Sequence, residues 1–329
     1  MTTIRPSMNL VENLKEKVLF GKIINRDEAL LLYNSDLESL CSAADEIRDH
    51  FCKNGFDICT IINGKSGHCS ENCKFCSQSA HYHTTSGTYA LIDTDEIVRQ
   101  AKYNADRGVL RFSIVTSGRC LSDTEIDQVC QSIRAIKANV DIDICASMGL
   151  LTKEQFCKLK EAGVTRIHNN LETSERYFPS ICTTHTYADK LHAIKNAREA
   201  GLNICSGGIM GLGETPEDRI DMALQLRDLG IKSIPVNMLN PIPGTPFEHN
   251  KKLDINDMRR IVAVYRFILP DASIRLAGGR GLLEGHGRKC FTSGANAVIS
   301  GDMLTTSGYT IESDMNMIHE LGYKEELWN

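Results

Sequence analysis

The sequence predicts an α/β protein: a (β/α)8 TIM-type barrel carrying an N-terminal helical extension. Three observations lead there. Short apolar runs alternate with amphipathic stretches from residue 57 onward, about eight such units follow one another, and no low-complexity linker interrupts them. Strands alternating with helices of this length imply a parallel sheet with right-handed crossovers. Eight units favour a closed barrel over an open sheet, and 329 residues are enough to bury its core.

The elements follow in order. Residues 1–56 read as helical through NLVENLKEKVLF, RDEALLLY and DLESLCSAADEIRDHFCKNG, with Asp36 as an N-cap and Asn54-Gly55 as a stop. Strands are expected at 57–63, 109–116, 141–149, 165–172, 202–213 (running into a Gly-rich loop), 232–239, 272–280 and 295–301. Helices are expected at 93–108, 123–139, 152–163, 186–201, 216–230 and 255–270, with a short one opening at 287. The division that results is an extension at 1–56, a barrel at 57–310 and a C-terminal tail at 311–329.

Composition narrows the function classes. A net charge of −5 over mixed-sign segments offers no basic stripe for a nucleic acid. No apolar run approaches the 18 or so residues that span a bilayer, and the first 20 residues carry Glu and Lys where a secretory core would lie, so the expected compartment is the cytoplasm. There, 13 cysteines are free thiols rather than disulfides. Some should bind metal. Those in helical patterns (Cys41, Cys52, Cys130, Cys157 and Cys290) read as core or half-buried thiols, and Cys59 on the first strand can be core as well.

In a barrel of this type, chemistry gathers at the C-terminal strand ends. Polar and thiol groups recur there: Ser113, Cys145, Asn169 to Glu172, Cys205 to Gly208, Asn237 and Arg275. Just past the first strand, GHCSENCKFCSQ places Cys69, Cys73 and Cys76 on a C-x3-C-x2-C spacing. Structural zinc takes four ligands, and no second knuckle lies nearby. Thiolates also suit iron–sulfur clusters, where three cysteines leave one iron of a cubane open to chelate a small molecule. His81, His83, His168 and His185 show no metal spacing.

The C-x3-C-x2-C loop resembles that of the radical S-adenosylmethionine superfamily. SENCKFCSQSAHY, HNNLETS, ICTTHTY, ICSGGIMGLGET, VNMLNPIPGTP, IRLAGGR and GANAVISGDMLTT narrow the resemblance to the biotin synthase family, over roughly residues 40–310. The resemblance implies a [4Fe-4S] cluster on Cys69, Cys73 and Cys76 that cleaves S-adenosyl-L-methionine to a 5′-deoxyadenosyl radical. That radical would act on dethiobiotin, with an auxiliary iron–sulfur cluster supplying sulfur. An electron donor such as flavodoxin or ferredoxin and a homodimeric state are implied as well. Asn170 and Glu172 fall where the family contacts the cofactor ribose, with Glu for the usual Asp. Lys190 falls where it holds the methionyl carboxylate, as a point charge and not a fork. Asn237, assisted by Asn170, falls where it bonds the substrate's cyclic urea. Gly207 and Gly208 would let backbone approach the cofactor.

At the auxiliary cluster this sequence departs from the family pattern of three strand cysteines and one arginine. Cys145, Cys205 and Arg275 match, but the fourth position is Ser113, a harder oxygen donor. Either Ser113 ligates, or the cluster is absent, or another thiol takes over; Cys182 is the expected substitute and Cys120 the reserve. The altered set admits a [2Fe-2S] or a four-iron cluster. A radical enzyme of the same branch without sulfur insertion, acting in hydrogenase maturation or amino-acid rearrangement, is the alternative that Ser113 favours and that Asn170, Asn237 and Arg275 oppose.

Overall fold

The computed structural model describes residues 6–306 and 308–328, with side chains from residue 10. Three helices come first: α1 (Pro6–Leu19), α2 (Arg26–Tyr33) and α3 (Leu37–Cys52). Asp36 caps α3 as expected, accepting from Ser39 N. The apolar face of α3 buries Leu40, Ala43, Ala44 and Ile47.

The barrel then runs β1 (Gly55–Lys65), α4 (Thr94–Ala105), β2 (Arg111–Thr116), α5 (Asp123–Asn139), β3 (Asp143–Ser147), α6 (Lys153–Ala162), β4 (Arg166–His168) and α7 (Tyr187–Glu199). It continues with β5 (Asn203–Cys205), β6 (Gly208–Met210), α8 (Pro216–Asp228), β7 (Ser233–Met238), α9 (Ile255–Ile268), β8 (Ser273–Leu276), α10 (Arg288–Phe291) and β9 (Ala297–Ser300). Helix α11 (Ile311–Glu320) and β10 (Lys324–Glu325) follow. Helices α5, α6, α7, α8 and α9 each open with a capping box, from Ser122, Thr152, Thr186, Thr215 and Asp254. Each such cap is worth about 1 kcal/mol and sets where its helix starts relative to the strand before it.

Every strand pair is parallel, and β9 pairs back to β1 through Asp57↔Ala297 and Cys59↔Ile299, so the sheet closes. The eight staves are β1, β2, β3, β4, a broken stave made of β5 and β6, then β7, β8 and β9. The break falls at Ser206-Gly207, where a Cβ on Gly207 would lie 1.9 Å from Pro235 O. Only glycine lets the two strands approach that closely.

Besides the broken stave, further sequence expectations change, among them the strand expected over 272–280, which ends at Leu276. The strand expected over 165–172 ends at His168, and beyond it Glu172 adopts φ 71°, a left-handed conformation, with a single bridge to Gly208. The tail expected at 311–329 contains α11 and β10, and β10 pairs with the start of β1 in the register Gly55↔Lys324. Inside the barrel, side chains alternate as the strand period demands. Cys59 and Ile61 of β1 and Arg111, Ser113 and Val115 of β2 face the central cavity. Ile58, Phe112 and Ile114, which alternate with them, are buried in the apolar core. Among the described residues, no helix is long and apolar enough to cross a membrane.

Candidate active site

A cavity of about 410 Å³ runs down the barrel from the loop after β1. At its mouth lie Cys69, Cys73 and Cys76, each half-buried. The loop that carries them is fastened locally. Cys69 N donates to Gln78 O (3.1 Å) and Ala80 N to Cys69 O (2.8 Å), while Cys76 N closes a turn on Cys73 O (3.0 Å). Gly67 starts the turn at φ 77°, and a Cβ there would strike Thr88 Oγ1 at 2.3 Å. A second loop supports the first: Asn72 Oδ1 accepts from Thr183 N and Thr184 N at 2.9 and 3.2 Å. Burial pushes the Cys76 thiol up to about 11, with Cys69 and Glu172 adding to the shift. The Cys76 thiol therefore holds its proton until a metal displaces it.

Asn170, Glu172, Lys190 and Asn237 line the same cavity. Asn170 Oδ1 accepts from Gly207 N (3.1 Å) and its Nδ2 donates to Glu172 Oε2 (3.3 Å). Burial raises the Glu172 carboxyl pKa, opposed by the Lys190 and His168 charges and the Asn170 bond. Asn237 is committed at both ends, Nδ2 donating to Gly208 O (3.0 Å) and Oδ1 accepting from Gly278 N (2.9 Å). One N–H remains to reach the cavity. Gly207 and Gly208 do not line it. Cβ atoms there would meet Pro235 O and Glu172 O, so these glycines serve strand contact within the chain.

The floor is of a different kind. Arg111, Arg166 and Arg275 are 1–3% exposed and surround Asp57, which is fully buried. Asp57 Oδ2 lies 2.8 Å from Arg275 Nη2, 3.5 Å from Arg166 Nη1 and 3.9 Å from Arg111 Nε. Burial opposes the charge on Asp57, but the three guanidiniums hold its carboxyl below the usual range. Above this ring stand Cys145 and Cys205, together with Ser113. Arg111 Nη1 approaches Cys145 Sγ at 3.9 Å, and Ser233 Oγ donates to Cys205 Sγ at 3.2 Å. Burial works against ionising Cys205, yet His168 and the nearby arginines bring its thiol down to about 6.

Arg275 is engaged through Nη1, while its Nη2 makes only the ion pair to Asp57. Besides the Asp57 pair it donates to Asp57 O (3.1 Å) and Val298 O (2.9 Å). Burial opposes its charge, but Asp57 and the nearby thiols raise its pKa, so it stays a cation. Cys182 is displaced from the expected place. It sits at the mouth, outside the cavity wall, 3.8 Å from Cys73 Sγ and 3.3 Å from His185 Nδ1, which itself lies 2.5 Å from Glu71 Oε2. Cys120 is exposed on the outer side of the loop after β2. The thiol that sequence reasoning set aside, Cys59, lines the cavity at floor level beside Cys145, Arg111 and Arg275. Its signal was the inward parity of strand β1, which register reveals and spacing does not.

Comparison with known proteins agrees with this geometry. Residues 65–226 match the radical SAM superfamily, and residues 235–324 match the biotin and thiamin synthesis associated domain. A biotin synthase of Brachyspira hyodysenteriae is 59% identical over 317 residues, covering 96% of this chain and 95% of its own. The chain belongs to the biotin synthase family. A second member, from Akkermansia muciniphila, is 56% identical over 96% of this chain and 99% of its own. The fold extends further: the crystal structure of a methylornithine synthase superposes with a TM-score of 0.83 at 20% identity, covering 95% of this chain and 97% of that one.

Biotin synthases of the radical SAM type are sulfurtransferases that use a [4Fe-4S] cluster, S-adenosyl-L-methionine and an auxiliary iron–sulfur cluster. The residues present fit these groups. Three half-buried thiols face one open cavity at its mouth, soft donors of the kind iron–sulfur clusters take. At the floor, buried thiols stand over buried cations that favour bound anions.

Proposed function

We propose that this chain forms biotin by inserting sulfur at two unactivated C–H positions of dethiobiotin, closing the thiophane ring. The observation that carries this reading is the cavity itself. One continuous space has thiols at both ends and amide, carboxylate and ammonium groups between them. A substrate held midway would lie within reach of radical chemistry above and a sulfur source below.

When bound at Cys69, Cys73 and Cys76, the [4Fe-4S] cluster and S-adenosyl-L-methionine supply the one-electron chemistry, and the second cluster supplies sulfur. The chain's own residues bind and orient. Lys190 offers a cation to the methionyl carboxylate, and Glu172 accepts from ribose hydroxyls, with Asn170 fixing its carboxylate. Asn170 is itself locked by Gly207 N, so it presents a set direction to whatever lies beside it. The remaining Asn237 N–H suits the carbonyl oxygen of a cyclic urea. Barrel walls exclude water from a reactive centre. The arginine floor favours anionic sulfur beside it.

This reading extends to a cytoplasmic homodimer reduced by flavodoxin or ferredoxin. An anaerobic assay with dethiobiotin, S-adenosyl-L-methionine and reduced flavodoxin, scored for 5′-deoxyadenosine and biotin, tests the central claim. Both products are expected. Deoxyadenosine without biotin would shift the reading to a radical enzyme that has lost sulfur insertion.

A further inference from the structure

The mouth of the barrel carries a second set of donors that the proposed chemistry leaves unused. We propose that Cys73, Cys182 and His185 form a mononuclear divalent-metal site of the cluster-free protein, suited to zinc, which competes with the [4Fe-4S] cluster for the Cys73 sulfur. The inference concerns the chain before it is loaded and does not depend on sulfur insertion.

Three observations support the site. First, its donors are already gathered. Cys73 Sγ, Cys182 Sγ and a ring nitrogen of His185 all lie within 4.8 Å of one another. Among the described residues no other set of three cysteine, histidine or acidic side chains meets that measure, so Cys69, Cys73 and Cys76 are not gathered as closely. In sequence His185 shows no metal spacing; the fold supplies its partners. Second, the separations match a tetrahedral ion. Two thiolates at a Zn–S distance of about 2.3 Å stand about 3.8 Å apart across a tetrahedral angle, and a thiolate and an imidazole about 3.5 Å apart. Here Cys73 Sγ and Cys182 Sγ are 3.8 Å apart, and Cys182 Sγ is 3.3 Å from His185 Nδ1.

Third, the donors are held in place. Lys74 N donates to Ile181 O (2.9 Å) and Asn72 N to Thr184 Oγ1 (3.1 Å), joining the cysteine loop to the segment that carries Cys182. The His185 ring packs edge-on against Phe178, with centroids 5.6 Å apart. Cys182 and His185 are both buried, so little side-chain freedom is left to lose when an ion arrives. On binding, the two thiols release their protons to solvent and the neutral imidazole coordinates through Nδ1, its proton carried on Nε2. Glu71 Oε2, 2.5 Å from Nδ1, gives up that contact, and water fills the fourth position. Cys73 also lines the central cavity. An ion seated with Cys182 and His185 therefore removes one of the three sulfurs the cluster needs. Zinc outranks ferrous iron at such donors, so iron alone does not clear it.

Co2+, a spectroscopic stand-in for zinc, tests the site when titrated anaerobically into the reduced, cluster-free, full-length protein. One equivalent should give the thiolate charge-transfer band and the visible bands of tetrahedral cobalt, and Zn2+ should bleach both. Cys182→Ser and His185→Gln should each weaken Co2+ binding by more than about a hundredfold, while Cys69→Ala and Cys145→Ala stay near the parent. Cys182→Ala stands in should serine perturb folding, and circular dichroism verifies each fold. A second readout follows loading. One equivalent of Zn2+ should slow the appearance of the reduced-cluster EPR signal in the parent at least about tenfold and leave Cys182→Ser at the zinc-free rate. Absence of tetrahedral cobalt in the parent, its persistence in a folded Cys182 variant, or its loss in Cys69→Ala overturns the site; so does equal slowing by Zn2+ in parent and Cys182→Ser. Cobalt bands as expected, in a zinc-free parent that takes up no cluster, uphold the metal site and overturn the radical reading instead.

Discussion

The mouth and the floor of the barrel each gather three thiols, but they do so by opposite means. At the mouth, Cys69, Cys73 and Cys76 come from one loop, held by backbone hydrogen bonds within residues 69–80 and braced by the 181–184 loop. At the floor, Cys59, Cys145 and Cys205 come from β1, β3 and β5, and only the closed sheet brings them together. The mouth is half-exposed and built on turns; the floor is buried and ringed by guanidiniums. A site built on one loop depends on that loop's own turns, while a site assembled across strands depends on the register of every strand that contributes to it.

The largest effects should separate the two ends. Cys73→Ala should lower both 5′-deoxyadenosine and biotin by roughly a thousandfold or more, because the cofactor carries the difficult chemistry. Cys145→Ala should abolish biotin yet leave deoxyadenosine formation within a few-fold of normal. Product analysis under anaerobic conditions checks both, and parallel loss of the two products in Cys145→Ala would erase the distinction.

Next in size is a stability effect at the floor. Asp57→Asn leaves three buried guanidiniums with less anion, at a cost of about 3–5 kcal/mol, measured as a lowered urea midpoint of the cofactor-free protein. The pH dependence follows from the depressed Asp57 carboxyl. Its contribution is complete above the unfolded carboxylate range near about 4 and disappears as pH falls through the lower folded value. Urea titrations across the acid range should therefore converge for the parent and Asp57→Asn, and a gap unchanged with pH would contradict this account.

The mouth shows the opposite sign. The Glu172 carboxyl is raised by burial, so folded protein holds that proton longer than unfolded chain does. Stability is then lost as pH climbs from the unfolded carboxylate range through the folded value. Glu172→Gln should raise the melting temperature of the cofactor-free protein at neutral pH more than in acid, while weakening S-adenosyl-L-methionine binding in titration calorimetry. The smallest expected effect is that of Cys120→Ala, an exposed thiol: iron content and melting temperature should match the parent.

This contrast also explains what the sequence made legible. Periodicity found all eight staves, since alternating apolar runs record which segments are strands. The C-x3-C-x2-C spacing found the mouth, because its geometry is local. Cys59 was passed over because one thiol on an apolar strand resembles core; its meaning depends on facing inward beside Arg111 and Cys145, which register alone reveals. Cys182 was misdirected for the same reason. Its contacts to Asn72 and Cys73 hold it at the rim, beside the cysteine loop. The β10 pairing was missed because two residues, Lys324 and Glu325, are too short a run to carry a period.

The stacking of the two ends imposes an order in time. Asp57 and its arginines close the cavity below, so anything bound at the floor has first passed the cysteine loop. On the proposed function, assembly would proceed from the bottom upward, and a spent floor would be replenished once the upper tenants have left. Repair and turnover thus compete for the same doorway.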